Sequence, residues 1–151
     1  MAEKLLAGRN FIVTGGTQGI GQGIADYLAE EGAAGITICG RNQKNGEAVA
    51  TAISESGCPC EYVRADLTIE EDCRAVVQRA IARFGTIHGL VNAAGLTDRG
   101  SLLDGTVELW NRLMNVNARA PFILMQEAAR HMKERGIRGS IVNIISDNYH
   151  G

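Results

Sequence analysis

A short β-branched stretch, Phe11-Ile12-Val13-Thr14, runs directly into Gly15-Gly16-Thr17-Gln18-Gly19-Ile20-Gly21 and then into an apolar pattern of helical period. Glycine at 15 permits a sharp turn from strand to helix, glycine at 19 leaves out the Cβ that would block close approach of a phosphate, and glycine at 21 lets the helix pack on the sheet. The helix start then offers unpaired N–H groups and a partial positive charge. The run reads as a cradle for the pyrophosphate of a dinucleotide. Ordinary tight turns also collect glycine, and position separates the two cases: this run follows a strand and opens a helix through Ile20, Ile24, Ala25, Leu28 and Ala29, with Gly32 placed to stop it.

Beyond the glycines, apolar strand segments near 10–14, 35–40, 61–65, 87–92 and 140–146 alternate with helical segments near 19–31, 43–56, 69–84 and 106–133. That alternation predicts an α/β fold, a Rossmann-type doubly wound parallel sheet covered by helices on both faces. The expected strand order is 3-2-1-4-5, with a crevice at the carboxyl ends of the first and fourth strands, where the winding reverses. Ile12, Val13, Ile36, Ile38, Val63, Leu90, Val91, Ile141, Val142 and Ile144 are the expected core. Thr68-Ile69-Glu70-Glu71 reads as a capping box, and Gly85 suits the position after that helix. In the last helical segment Pro121 interrupts an apolar pattern; a continuous helix would bend there and leave the Asn117 carbonyl, four residues earlier, without its donor.

No linker, repeat or low-complexity segment interrupts residues 1–151, which read as one dinucleotide-binding domain. A hydrophobic content of 45% fills an ordinary core, and a net charge of −2 gives no sign of a nucleic-acid or membrane surface. Met1 to Arg9 lacks the apolar run of a signal peptide, so the expected location is cytoplasmic. Cys39, Cys58, Cys60 and Cys73 are then expected to be free thiols. Cys58-Pro59-Cys60 is their only close pair, and His88, His131 and His150 are scattered, so no metal site is expected.

Taken together, the motifs resemble those of the short-chain dehydrogenase/reductase family, in its main single-domain branch, and match its N-terminal, cofactor-binding part. Thr14-Gly15-Gly16-Thr17-Gln18-Gly19-Ile20-Gly21 matches the cofactor motif, and Asp66-Leu67-Thr68, Asn92-Ala93-Ala94-Gly95, Asn115-Val116-Asn117 and Gly139-Ser140-Ile141-Val142-Asn143-Ile144-Ile145-Ser146 follow in the family's order. The resemblance implies an NAD(P)-dependent oxidoreductase acting on a small carbonyl or alcohol substrate, and a homo-oligomer for the complete protein. It implies cofactor contacts from Gly15, Thr17, Gln18, Gly19, Ile20, Gly21, Arg41, Asp66, Leu67, Asn92, Ala93 and Gly95. Asp66 would hold the adenine amino group, while Asn92 and Gly95 would stabilise the sheet beside the cofactor. Asn117 and Ser146 align with two members of the catalytic tetrad, the serine bonding the substrate oxygen and the asparagine carbonyl holding a relay water.

An acid at the end of the second strand would bond the ribose 2′-hydroxyl of NAD and repel the 2′-phosphate of NADP. Here the stretch is Ile38-Cys39-Gly40-Arg41-Asn42, with no acid and with Arg41 placed to meet a phosphate, so NADP is the expected cofactor and NAD the alternative. A solvated surface arginine is the plainer reading of Arg41. The tetrad's tyrosine and lysine, four residues apart, would be expected about a dozen residues beyond Ser146, where the chain has ended at Gly151. Tyr149 reads as a loop aromatic, and no tyrosine here has a lysine four residues on. The sheet is therefore expected to be truncated after its fifth strand and the domain incomplete at its C-terminus. Two readings stand: the cofactor-binding part of an oxidoreductase, inactive by itself, or a noncatalytic nucleotide-binding or interaction module.

Overall fold

The computed structural model describes residues 4–146. Five strands form, each rich in β-branched or other apolar residues: β1 (Asn10–Thr14), β2 (Gly35–Gly40), β3 (Cys60–Arg64), β4 (Gly89–Asn92) and β5 (Ser140–Asn143). All neighbours pair in parallel, in the order β3-β2-β1-β4-β5. The helices are α1 (Gly19–Glu30), α2 (Gln43–Glu55), α3 (Glu70–Phe84), α4 (Val107–Met114) and α5 (Ala120–Glu134), with a π-helical turn at Asn115–Arg119 between the last two. Among the described residues no helix is long and apolar enough to cross a membrane.

Successive strand residues point to opposite faces, so a sheet covered on both sides needs nearly unbroken apolar strands. Val13, Ile36 and Ile38 pack on one face against Ala25 of α1 and Val49 and Ile53 of α2. Ile12 and Leu90 pack on the other face against Val76, Val77 and Ala80 of α3 and Ile123 and Leu124 of α5. Val63 and Val91 are buried as expected. The expectation for β5 needs correction: Ile141 is half-buried, and Val142 and Ile144 are 48% and 42% exposed. β5 lies at the edge of the described sheet, and Val142 is left about half exposed there.

Two local readings also change. The Thr68 hydroxyl does not cap α3 but donates to Asp66 Oδ1 at 2.7 Å, and the N-cap is Ile69, without a side-chain bond. The hydroxyl is instead turned to donate to the carboxylate two residues upstream, a charged acceptor. Gly85 ends α3 at φ +78° as expected. The segment around Pro121 is not one bent α-helix either. The Ala120 N–H reaches the Asn115 carbonyl, five residues back, and Pro121 falls in the first turn of α5, where its missing donor is tolerated. The inference that Pro121 frees the Asn117 carbonyl rested on α-helical register, which this turn does not keep.

Candidate functional site

Strand order reverses between β1 and β4, and at their carboxyl ends the loops part to form a cavity of about 380 Å³. Its walls are the loop after β1 with the first turn of α1 (Gly15, Thr17, Gln18, Gly19, Ile20, Gly21), the end of β2 (Cys39, Gly40, Arg41), the loop after β3 (Ala65 to Thr68), the loop after β4 (Ala93 to Leu96), and Val116 of the π turn.

The chain leaves β1 through Gly15 at φ +65°, a conformation that excludes most side chains, and a Cβ there would lie 2.8 Å from the Ala94 Cα. The buried Thr14 hydroxyl fixes that closeness by accepting from the N–H groups of Ala93 and Ala94, both at 3.2 Å. A Cβ at Gly21 would run into the Gly15 carbonyl oxygen, so Gly21 clears its own loop rather than the sheet. Gly19, at φ +55°, would meet nothing within 4 Å and stands open to the cavity. Gln18 enters α1 extended, without a side-chain cap, and the first turn carries no acid. The leading N–H groups of a twelve-residue helix are thus left for an outside acceptor.

Among the described residues two charged side chains line the cavity, Arg41 and Asp66. Arg41 is exposed and among the described residues takes part in no ion pair, while Thr17 packs over Gly40 beside it. Asp66 Oδ1 accepts from the Thr68 N–H at 2.9 Å and its hydroxyl at 2.7 Å, and the Asp66 N–H donates to Asp72. The Thr68 bonds, aided by the positive charges of Arg41 and Arg112, hold the Asp66 carboxyl below its usual range. Cys39 is a wall without chemistry: burial pushes its thiol up to about 12, far from a reactive thiolate. The four cysteines are all free thiols.

Of the residues singled out from sequence, all the expected cofactor contacts except Asn92 line this cavity. Asn92 sits behind it, buried, donating through Nδ2 to Asn143 Oδ1 of β5 at 2.9 Å. Asn117 lines a neighbouring hollow with Leu96 and Trp110. Its side chain grips Leu96, a residue common to both spaces. Ser146 is exposed, three residues beyond β5, and is not among the cavity's lining residues. Tyr149 and His150 lie outside the described residues. Sequence reading passed over Leu96 and Arg119 and quoted Val116 as the middle of Asn115-Val116-Asn117; the signal for Arg119 was a charged residue two positions before Pro121, next to an apolar run.

The family model described as short chain dehydrogenase matches residues 9–150. Among curated proteins, the chain is 37% identical over 142 residues to 2,5-dichloro-2,5-cyclohexadiene-1,4-diol dehydrogenase of Sphingobium indicum, covering 93% of this chain and 55% of that protein. It is 36% identical over 141 residues to the NADP-dependent (R)-specific alcohol dehydrogenase of Lentilactobacillus kefiri, covering 93% and 55%. Among solved structures, a blue fluorescent protein from a metagenomic library, in complex with NADPH, superposes with a TM-score of 0.87 at 31% identity, over 96% of this chain and 59% of that one. The chain spans about half the length of the curated relatives it matches.

Proposed function

The chain belongs to the short-chain dehydrogenase family, and from that premise we propose that it is the NADP-binding part of an oxidoreductase acting on a small carbonyl or alcohol. One observation carries the reading. A glycine-lined cavity at the topological switch point has a helix N-terminus with open donors at one end and an uncommitted arginine, with no acid, after β2. These residues suit a dinucleotide: Gly19 leaves the phosphate approach open, and a side chain at Gly15 or Gly21 would close the loop's own space. The NADPH complex and the NADP-dependent relative named above support the choice of cofactor.

In this assignment Gly15 to Gly21 hold the pyrophosphate, Arg41 meets the 2′-phosphate, and Asp66 and Leu67 flank the adenine. Ala93 and Gly95 back the inner half of the cofactor, and Asn92 ties the end of β4 to β5 behind them. When bound, the nicotinamide supplies or accepts a hydride. Ser146 bonds the substrate oxygen, and the backbone carbonyl of Asn117 holds a relay water. The hollow that shares Leu96 with the cavity is the substrate's approach.

The 151 residues are expected to bind the cofactor without turning over substrate. Residue 31 after Tyr27 is glutamate, and residue 66 after Tyr62 is aspartate, so neither has a lysine four positions on. Burial raises the Tyr62 hydroxyl above its usual 10, and it is engaged with the Gly40 carbonyl at 2.7 Å. The same observation favours a second reading, a noncatalytic nucleotide-binding module. Intact mass of the protein from its source separates the two, since a mass well above that of these residues leaves room for the missing acid. Calorimetric titration with NADP and NAD tests the first reading: micromolar binding is expected, and no binding of either overturns it. Carbonyl reduction by the 151 residues at an ordinary enzymatic rate overturns the assignment of the proton donor.

A further inference from the structure

The π turn reaches two of the loops that wall the cavity, those after β3 and β4. On one side Asn117 grips Leu96; on the other Arg119 extends across to the loop after β3. Arg119 Nη2 donates to the Thr68 carbonyl at 2.5 Å, and Nη1 lies 3.6 Å from Glu70 at the start of α3. Its Nε is buried without a partner, so the guanidinium is held here by its two outer nitrogens at the expense of the third. Thr68, so fixed, directs both its N–H and its hydroxyl onto Asp66 Oδ1. Among the described residues Asp66 Oδ2 accepts from no group, and Asp66 lines the cavity.

We propose that Arg119 is a positioning residue for the adenine end of the site, acting through Thr68 to hold Asp66 with one carboxylate oxygen turned to the exocyclic amino group of the base. This rests on the functional reading above and adds to it a residue that touches no cofactor. A planar guanidinium suits the task because one fork serves a carbonyl and a carboxylate together. The link also explains why a charged side chain stands between the apolar Val116 and Phe122.

The test compares NADP with nicotinamide hypoxanthine dinucleotide phosphate, which presents a carbonyl oxygen where adenine presents its amino group. Wild-type chain is expected to bind NADP about tenfold more tightly, the loss of one charge-assisted hydrogen bond. Arg119→Met keeps the apolar stem, and Thr68→Val keeps the shape while removing the hydroxyl. Each is expected to cut the discrimination to about threefold or less, and Arg119→Lys, which keeps a single charged donor for the Thr68 carbonyl, to restore part of it. A purely structural role would weaken both dinucleotides alike and leave their ratio unchanged. Unchanged discrimination in a folded Arg119→Met, or in Thr68→Val should the first not fold, overturns the proposal. A wild-type chain that binds both dinucleotides equally overturns the Asp66 contact and this inference with it, whereas one that binds neither overturns the functional reading itself.

Discussion

Asn117 closes a two-way clasp on the backbone of Leu96, accepting from its N–H at 2.8 Å and donating to its carbonyl at 2.7 Å. An amide side chain satisfies a peptide group in this way as a neighbouring strand would, and here it joins the π turn to the loop after β4. Asn117→Asp keeps the acceptor but sets a carboxylate oxygen against the Leu96 carbonyl. A loss of about 1–2 kcal/mol in unfolding free energy is expected, less than for a buried pair because the loop is exposed. Urea unfolding checks it: the midpoint should fall with the slope unchanged.

In the proposed assignment Arg41, which lines the cavity, meets the 2′-phosphate that distinguishes the two cofactors. Arg41→Asp is expected to reverse the order of affinities from NADP over NAD to NAD over NADP. Loss of a charge-assisted bond corresponds to about 1.5–3 kcal/mol, roughly tenfold to a hundredfold in affinity. Titration of both chains with both cofactors decides it, and equal affinities in the wild type would refute the role of Arg41.

Two glycines of α1 make a matched pair. A Cβ at Gly21 meets the Gly15 carbonyl, while a Cβ at Gly23 meets nothing within 4 Å. Gly21→Ala is expected to destabilise by about 1–3 kcal/mol and to spread the phosphate loop, whereas Gly23→Ala should stabilise by about 0.5–1 kcal/mol through helix propensity. Thermal unfolding with and without NADP reads both effects.

At the amino end of the sheet His88 Nδ1 accepts from the Asn10 N–H at 3.1 Å, a bond only the neutral ring can make. Burial first, then the charges of Arg9 and His131, lower its pKa below the ordinary 6.5. Burial and Arg135 lower that of His131 against an opposing Glu134. The unfolded chain therefore binds more protons just below pH 6.5. Stability is full above that value and is lost as pH falls toward and through the folded pKa values. His88→Asn, which can offer an acceptor oxygen that does not titrate, is expected to flatten the fall between pH 7 and pH 5 in denaturant titrations. An unaltered slope assigns the effect to His131 alone.

β5 carries Val142 at the sheet edge, followed by the exposed Ile144 and Ile145. An apolar strand with one unpaired side invites edge-to-edge pairing. The 151 residues are expected to sediment as dimers or larger species, and Val142→Lys with Ile145→Lys to shift them toward monomer.

The glycines of 15, 19 and 21, the β-branched strands and their spacing determined the elements and the cavity's place, because backbone freedom and apolar period are local properties that each segment carries with it, and the strand order followed from the connection rules of doubly wound sheets. Thr68, Pro121 and Val142 mark where local reading failed. Thr68 could accept from an N–H at a helix start or donate to a carboxylate, and only the folded loop turned its hydroxyl onto Asp66 Oδ1. Pro121 could bend an α-helix or follow a wider turn, and the turn prevailed with Asn117 and Arg119 each anchored to a separate loop. Val142 has the period of a core residue, but burial needs a covering element, and periodicity cannot say whether one is there. Hydrogen bonds between segments far apart in the chain depend on three-dimensional approach, and that approach was settled by packing alone.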